Sequence, residues 1–129
     1  MNATHYADPT QRPIFINLIN NLDCEEPRIT IKRDNEFPDF GGDVEVPLAK
    51  VPDEIEKRNK STSEPIYVRY EYKYCWNMLL IDTPGLKQPG EEGEEERENL
   101  VLELAKPQER TLVFVEDAKD WSEVQVEGL

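Results

Sequence analysis

The chain has 129 residues, of which 37% are hydrophobic and 33% charged, with a formal net charge of -13. This length suits one domain with a single core rather than two, and the composition is polar but keeps clear apolar runs. The negative field disfavours nucleic acid and anionic membrane surfaces as direct partners, and no run reaches the roughly 20 apolar residues needed to span a bilayer.

Two cysteines, Cys24 and Cys75, suggest neither a disulfide framework nor a zinc site and read as reduced core thiols. His5 is the sole histidine and lies in a polar stretch, which argues against Ser-His-Asp or His-metal chemistry. The first residues have neither a basic start nor an apolar core of signal-peptide type, so a cytoplasmic setting without direct membrane insertion is the expectation.

Pro13 to Ile19 clusters β-branched and aromatic residues ahead of an Asn-Asn turn signal, which predicts a strand. Arg28 to Lys32 alternates apolar and polar residues, the pattern of a half-exposed strand that could form a hairpin with the first. Residues 35–65 form a loop-rich insert broken by Pro38, Gly41, Gly42, Pro47, Pro52 and Pro65. Inside it, Pro52 to Arg58 reads as a short helix with proline in its first turn, acids at the positive dipole end, and Asp53/Lys57 and Glu54/Arg58 pairs on a solvated face.

Residues 66–74 alternate cleanly, placing Ile66, Val68, Tyr70, Tyr72 and Tyr74 on one face and Tyr67, Arg69, Glu71 and Lys73 on the other. Because the acidic balance removes the attraction that a base-stacking platform needs, the aromatic row reads as core packing. Met78 to Ile81 is a continuous apolar run ended by Asp82, which predicts a strand covered on both faces with chemistry at its C-terminal edge. Glu94 to Lys106 reads as a helix with an apolar stripe of Leu100, Val101, Leu104 and Ala105, stopped by Pro107. The acidic run Glu91 to Glu98 is a solvated helix start rather than a carboxylate metal site. Thr111 to Val115 is a second continuous apolar run, and its separation from Met78 to Ile81 matches one βαβ crossover.

A strand that delivers a carboxylate and then a glycine at a sheet edge can hold Mg²⁺ through water, while bare backbone approaches a terminal phosphate. Asp82-Thr83-Pro84-Gly85 has that form, which an ordinary Pro-Gly turn also has. The longer string Tyr72 to Leu86 resembles the third GTPase motif of the dynamin superfamily, and Thr10-Gln11-Arg12-Pro13-Ile14 resembles its second, with Gln11 as the departure. Val113 to Ser122 resembles the following strand in the chloroplast-division branch from plants and algae.

The resemblance implies an α/β fold, a partial P-loop-NTPase-type GTPase domain over residues 1–129 with a mixed, mostly parallel sheet and flanking helices. In that fold the strands near 13–19 and 66–74 are expected antiparallel, and those near 78 and 112 parallel. It implies a switch I region near Thr10, which would help order Mg²⁺ and the attacking water. Asp82, Thr83, Pro84 and Gly85 would face nucleotide, with Asp82 reaching the metal through water. GTP and Mg²⁺ are the implied ligands, dynamin-related chains the implied partners, and fission of a membrane or organelle, at its cytosolic face, the implied process.

Two motifs of the family are absent. No Gly-Lys pair occurs, so the chain has no Gly-x-x-x-x-Gly-Lys-Ser/Thr loop, and Ala118-Lys119-Asp120-Trp121 does not match the guanine-reading Thr/Asn-Lys-x-Asp motif. The expectation is therefore a GTPase-domain fragment inactive by itself, with a non-catalytic module that pairs through exposed strand edges as the alternative.

Overall fold

The computed structural model of the protein describes residues 11–34, 42–60 and 64–115. In chain order it contains β1 (Ile14–Asn20), β2 (Arg28–Ile31), β3 (Val44–Val46), α1 (Val51–Arg58), β4 (Ile66–Tyr72), β5 (Met78–Asp82) and α2 (Glu94–Ala105). The five strands form one mixed sheet in the order β3-β2-β4-β1-β5.

Each predicted element between residues 13 and 105 is present within a residue or two, and β3 is an addition inside the insert that sequence pattern gave as loop. The pairings differ from expectation. β1 and β4 are parallel, not antiparallel, with Ile14 opposite Ile66 and Asn20 opposite Tyr72. The other three pairings among the described residues are antiparallel, so the sheet is mixed but not mostly parallel.

The reason is the position of β4. Its alternating face matches β1 on one side and β2 on the other, so it enters between the two strands expected to form a hairpin. The connection from β1 to β2 then crosses the end of β4, where the Asn21 N–H donates to the Tyr72 carbonyl at 3.2 Å and the Lys73 N–H to the Cys24 carbonyl at 3.1 Å. The long connection between β1 and β4 permits a parallel crossover, which a short hairpin loop would not.

Strand register gathers Ile14, Ile29, Ile31, Val46, Ile66 and Val68 on one face as the buried core. Val51 and Ile55 of α1 pack against it. Pro52 sits in the first turn of that helix, with Asp53 and Glu54 at its positive end and Lys57 and Arg58 in the last turn. Glu54 bridges both Lys57 at 2.7 Å and Arg58 at 2.8 Å, whereas Asp53 lies near Lys50 rather than Lys57. Arg58 is buried, so this end of the helix is not a solvated face.

The sheet is covered unevenly. Met78, Leu79 and Leu80 of β5 stay 44–51% exposed, opposite to the two-sided burial predicted for them. β5 is the last strand of the described sheet, with β1 as its partner on one edge only. Thr111 to Val115 forms no strand, and Val113 and Val115 are more than 80% exposed. A strand needs a neighbouring edge for its backbone groups, and no described strand pairs with this run. The adjacent parallel pair of strands expected near 78 and 112 is therefore not formed, and the acids after Val115 lie outside the described residues. α2 buries none of its residues, and its expected stripe of Leu100, Val101, Leu104 and Ala105 is half-buried.

Glu71 was placed by alternation on the solvent face, yet it is buried. Burial pushes its carboxyl up, but hydrogen bonds from Asn21 at 3.3 Å and Arg69 at 3.2 Å, with the charges of Arg69 and Arg28, outweigh that and hold it below the ordinary glutamate value. The lowered value makes its stabilisation complete above the ordinary glutamate range and lost as pH falls through the folded-state value. Urea unfolding across an acid pH series should show that loss, with a shallower acid limb in Glu71→Gln. Ile31→Ala, at a fully buried position, should lower the unfolding free energy by about 2–5 kcal/mol in the same assay.

Candidate functional site

β5 runs antiparallel to β1, which sets Asp82 opposite Ile14. The chain therefore delivers two segments, far apart in sequence, to the same end of the sheet. One is the turn that follows Asp82, and the other is the stretch Gln11-Arg12-Pro13 that leads into β1. Thr10 itself lies outside the described residues.

The turn after β5 is pinned at its proline and open around it. Pro84 is fully buried, Thr83 is half-buried, and Asp82 and Gly85 are exposed. The Asp82 backbone is in the ladder with β1, and its carboxylate has no hydrogen-bond or ion-pair partner among the described residues. Gly85 has an ordinary negative φ, and a Cβ built on it would meet no atom within 4 Å. Neither backbone strain nor crowding among the described residues requires glycine here, and the space beside its backbone is open. By contrast Gly93, at the start of α2, has φ of 77° and belongs to the left-handed region that glycine favours.

Arg97 of α2 reaches back to this turn and donates from Nη1 to the Gly85 carbonyl at 2.9 Å. The intervening loop closes on itself through the Gly90 N–H to Glu94 Oε2 at 2.6 Å and the Gln88 N–H to Glu91 Oε2 at 3.2 Å. Part of the acidic run thus holds backbone donors of the loop ahead of the helix, whose N-cap Gly93 carries no side-chain cap.

On the other side of the edge stands Arg12, only 1% exposed. Its Nη1 donates to Asp34 Oδ2 at 2.6 Å and to the Arg58 carbonyl at 2.9 Å, and its Nε to the Glu64 carbonyl at 2.8 Å. Its Nη2 reaches Asp34 Oδ1 and the Pro65 carbonyl, both at 3.4 Å. Beside it the Gln11 N–H donates to Asn59 Oδ1 at 2.7 Å, and the Ile66 N–H to the Pro13 carbonyl at 2.8 Å. One guanidinium therefore ties the start of β1 to the end of the segment after β2, the C-terminus of α1 and the start of β4.

Sequence reasoning noticed Arg12 only as a member of a motif and gave no role to Asp34 or Arg97. An Arg and an Asp 22 positions apart carry no local signal, because their pairing depends on the order of strands. The alternating pattern could have flagged Arg12 only through its place just ahead of an apolar run.

A mixed five-stranded sheet with flanking helices, an Asp-Thr-Pro-Gly turn at one end and an Arg-Pro strand start beside it define a partial α/β GTPase-type domain. The model of the dynamin family matches residues 6–129, and the chain belongs to that family. Among curated proteins it is 33% identical to dynamin-like protein A of Dictyostelium discoideum over 123 residues, or 91% of this chain and 14% of that protein. It is 47% identical to dynamin-like protein B of the same organism over 75 residues, or 58% of this chain and 9% of that one. It is 30% identical to dynamin-like protein ARC5 of Arabidopsis thaliana over 133 residues, covering 88% and 16%. The chain thus spans less than a fifth of the length of these relatives. An Arabidopsis relative accords with the plant branch that residues 113–122 resemble, and the Dictyostelium matches extend the similarity beyond plants.

Removing the Arg12 side chain should expose how much of the fold its bonds hold. Arg12→Met leaves the Asp34 carboxylate buried without its guanidinium, a change expected to cost about 3–5 kcal/mol in denaturant unfolding. A loss no greater than that of a surface substitution would show that the buried pair contributes little.

Proposed function

We propose that the sheet end bearing Asp82 and Gly85 is the metal- and γ-phosphate-facing edge of a GTP site, and that this chain supplies that edge without the loop that grips the phosphates. The observation that carries the reading is the register of β5 on β1. It brings the Asp-Thr-Pro-Gly turn beside the strand that residue 10 leads into, although Gln11 and Asp82 are 71 positions apart.

The residues present fit Mg²⁺ and a terminal phosphate. Asp82 offers an exposed carboxylate suited to a metal-bound water, and Gly85 leaves space for phosphate oxygens against its backbone. Thr83 and Pro84 shape the turn, and Thr10 is assigned the switch I role of ordering the metal and the attacking water. When bound, Mg²⁺ would neutralise charge on the phosphates. Movement of the two segments on γ-phosphate loss would signal hydrolysis. Residues 1–129 then act as one partial G domain, and the wider role is fission of a membrane or organelle from its cytosolic side. Among the described residues no helix is long and apolar enough to cross a membrane.

Lacking the phosphate-gripping loop, the chain should show no measurable GTP turnover alone. Fusing a Gly-x-x-x-x-Gly-Lys-Ser loop with its strand upstream of Thr10 should create Mg²⁺-dependent binding that prefers a GTP analogue over GDP by calorimetry. Gly85→Ala should abolish that preference while changing unfolding free energy by less than about 0.5 kcal/mol, since its methyl meets no neighbour. Equal preference in the fused parent and its alanine variant would refute the assignment.

A second reading is supported by the exposed outer strand β5 with Met78, Leu79 and Leu80. Such an edge can add to another sheet, as a non-catalytic module pairing with a full-length dynamin-related chain would require. Co-elution with such a chain and a changed GTPase rate would favour it.

A further inference from the structure

We propose that Arg12 is a positioning residue for this edge, which fixes the segment leading into β1 against the turn that carries Asp82 and Gly85. The proposal rests on the reading of that edge as a metal-phosphate site, and its geometry stands on the described residues alone. Arg12 acts through what it holds in place.

Its five donors lie in one plane, and the structure directs them to a carboxylate and three carbonyls contributed by three separate stretches of chain. That distribution matters. Asp34 closes the segment after β2, Arg58 ends α1, and Glu64 and Pro65 open β4, so no pair of neighbouring elements could supply the same restraint. A single carboxylate partner would have sufficed to neutralise the charge. The additional carbonyls triangulate the guanidinium, and through it the Gln11-Arg12-Pro13 backbone.

From Arg12 the restraint passes to the site in two residues. Pro13, itself fully buried, has its carbonyl held by the Ile66 N–H, and Ile14 is opposite Asp82. On the far side the turn is held by buried Pro84 and by Arg97 on the Gly85 carbonyl. Both halves of the edge are thus anchored, one by Arg12 and the other by Pro84 and Arg97. Lysine cannot replace Arg12 in this task, because an ammonium is a point donor that lacks the planar fork.

The test is the spread of distances across the edge. In the full chain, Cys24→Ser and Cys75→Ser remove native thiols, and Gln11→Cys with Leu86→Cys accept nitroxide labels for pulsed dipolar spectroscopy. With Arg12 present the distance distribution should be single and narrow. In Arg12→Lys, at a temperature where circular dichroism shows the sheet intact, it should broaden about twofold or more, as a site loses its supporting shell. A purely structural role would lower the unfolding temperature and leave the width of the folded state unchanged, and that result would overturn the proposal. Should Arg12→Lys not fold, Asp34→Asn keeps side-chain volume and one acceptor oxygen, and an unchanged width there overturns it equally. These widths are read without nucleotide, so failure of GTP binding in the fused chain would sink the functional reading and leave this result standing.

Discussion

A buried guanidinium at the head of the first strand is the constraint on which the rest of this fold depends. Burying a charge is costly unless it is paired and its remaining donors are satisfied. Arg12 meets both conditions only if the segment after β2, the end of α1 and the start of β4 all converge on it. Where those segments converge, β4 lies between β1 and β2 in the sheet.

The hydrophobic core sits on the same side of the molecule as that clamp. Isoleucines and valines of β1 to β4 fill one face under α1, and β5 extends beyond this cover. The result is a sheet with a packed half and a bare half. The bare half contains the apolar run that ends in Asp82, so the strand best qualified by sequence for burial is the least buried. Thr111 to Val115 shares that condition. Two runs with the composition of interior strands and the exposure of surface loops mark a core that the described residues do not complete.

The candidate site lies where the packed half meets the bare half. Its carboxylate and its glycine are carried on a turn anchored by buried Pro84 and by Arg97 on the Gly85 carbonyl. Such an arrangement separates the anchoring groups from the exposed ones. Groups that fix the backbone are buried or engaged, and groups suited to a metal or phosphate remain exposed.

Local pattern in the sequence determined much here by itself. The alternation from Ile66 to Tyr72, the proline-led acidic start of α1, and the stop after Ala105 each specify an element because period, caps and breakers act over a few residues. The string Tyr72 to Leu86, with Thr10 to Ile14, likewise resembles the family that the match over residues 6–129 shows, since a run of motif residues along one strand needs no distant partner to be legible. What only the tertiary structure decided was pairing: β1 parallel to β4, β4 between the predicted hairpin strands, Glu71 buried, and Arg12 joined to Asp34. Each is a contact between distant stretches of chain, where several registers satisfy the same local pattern. Choosing among them takes the shared burial of one face and the geometry of one charge.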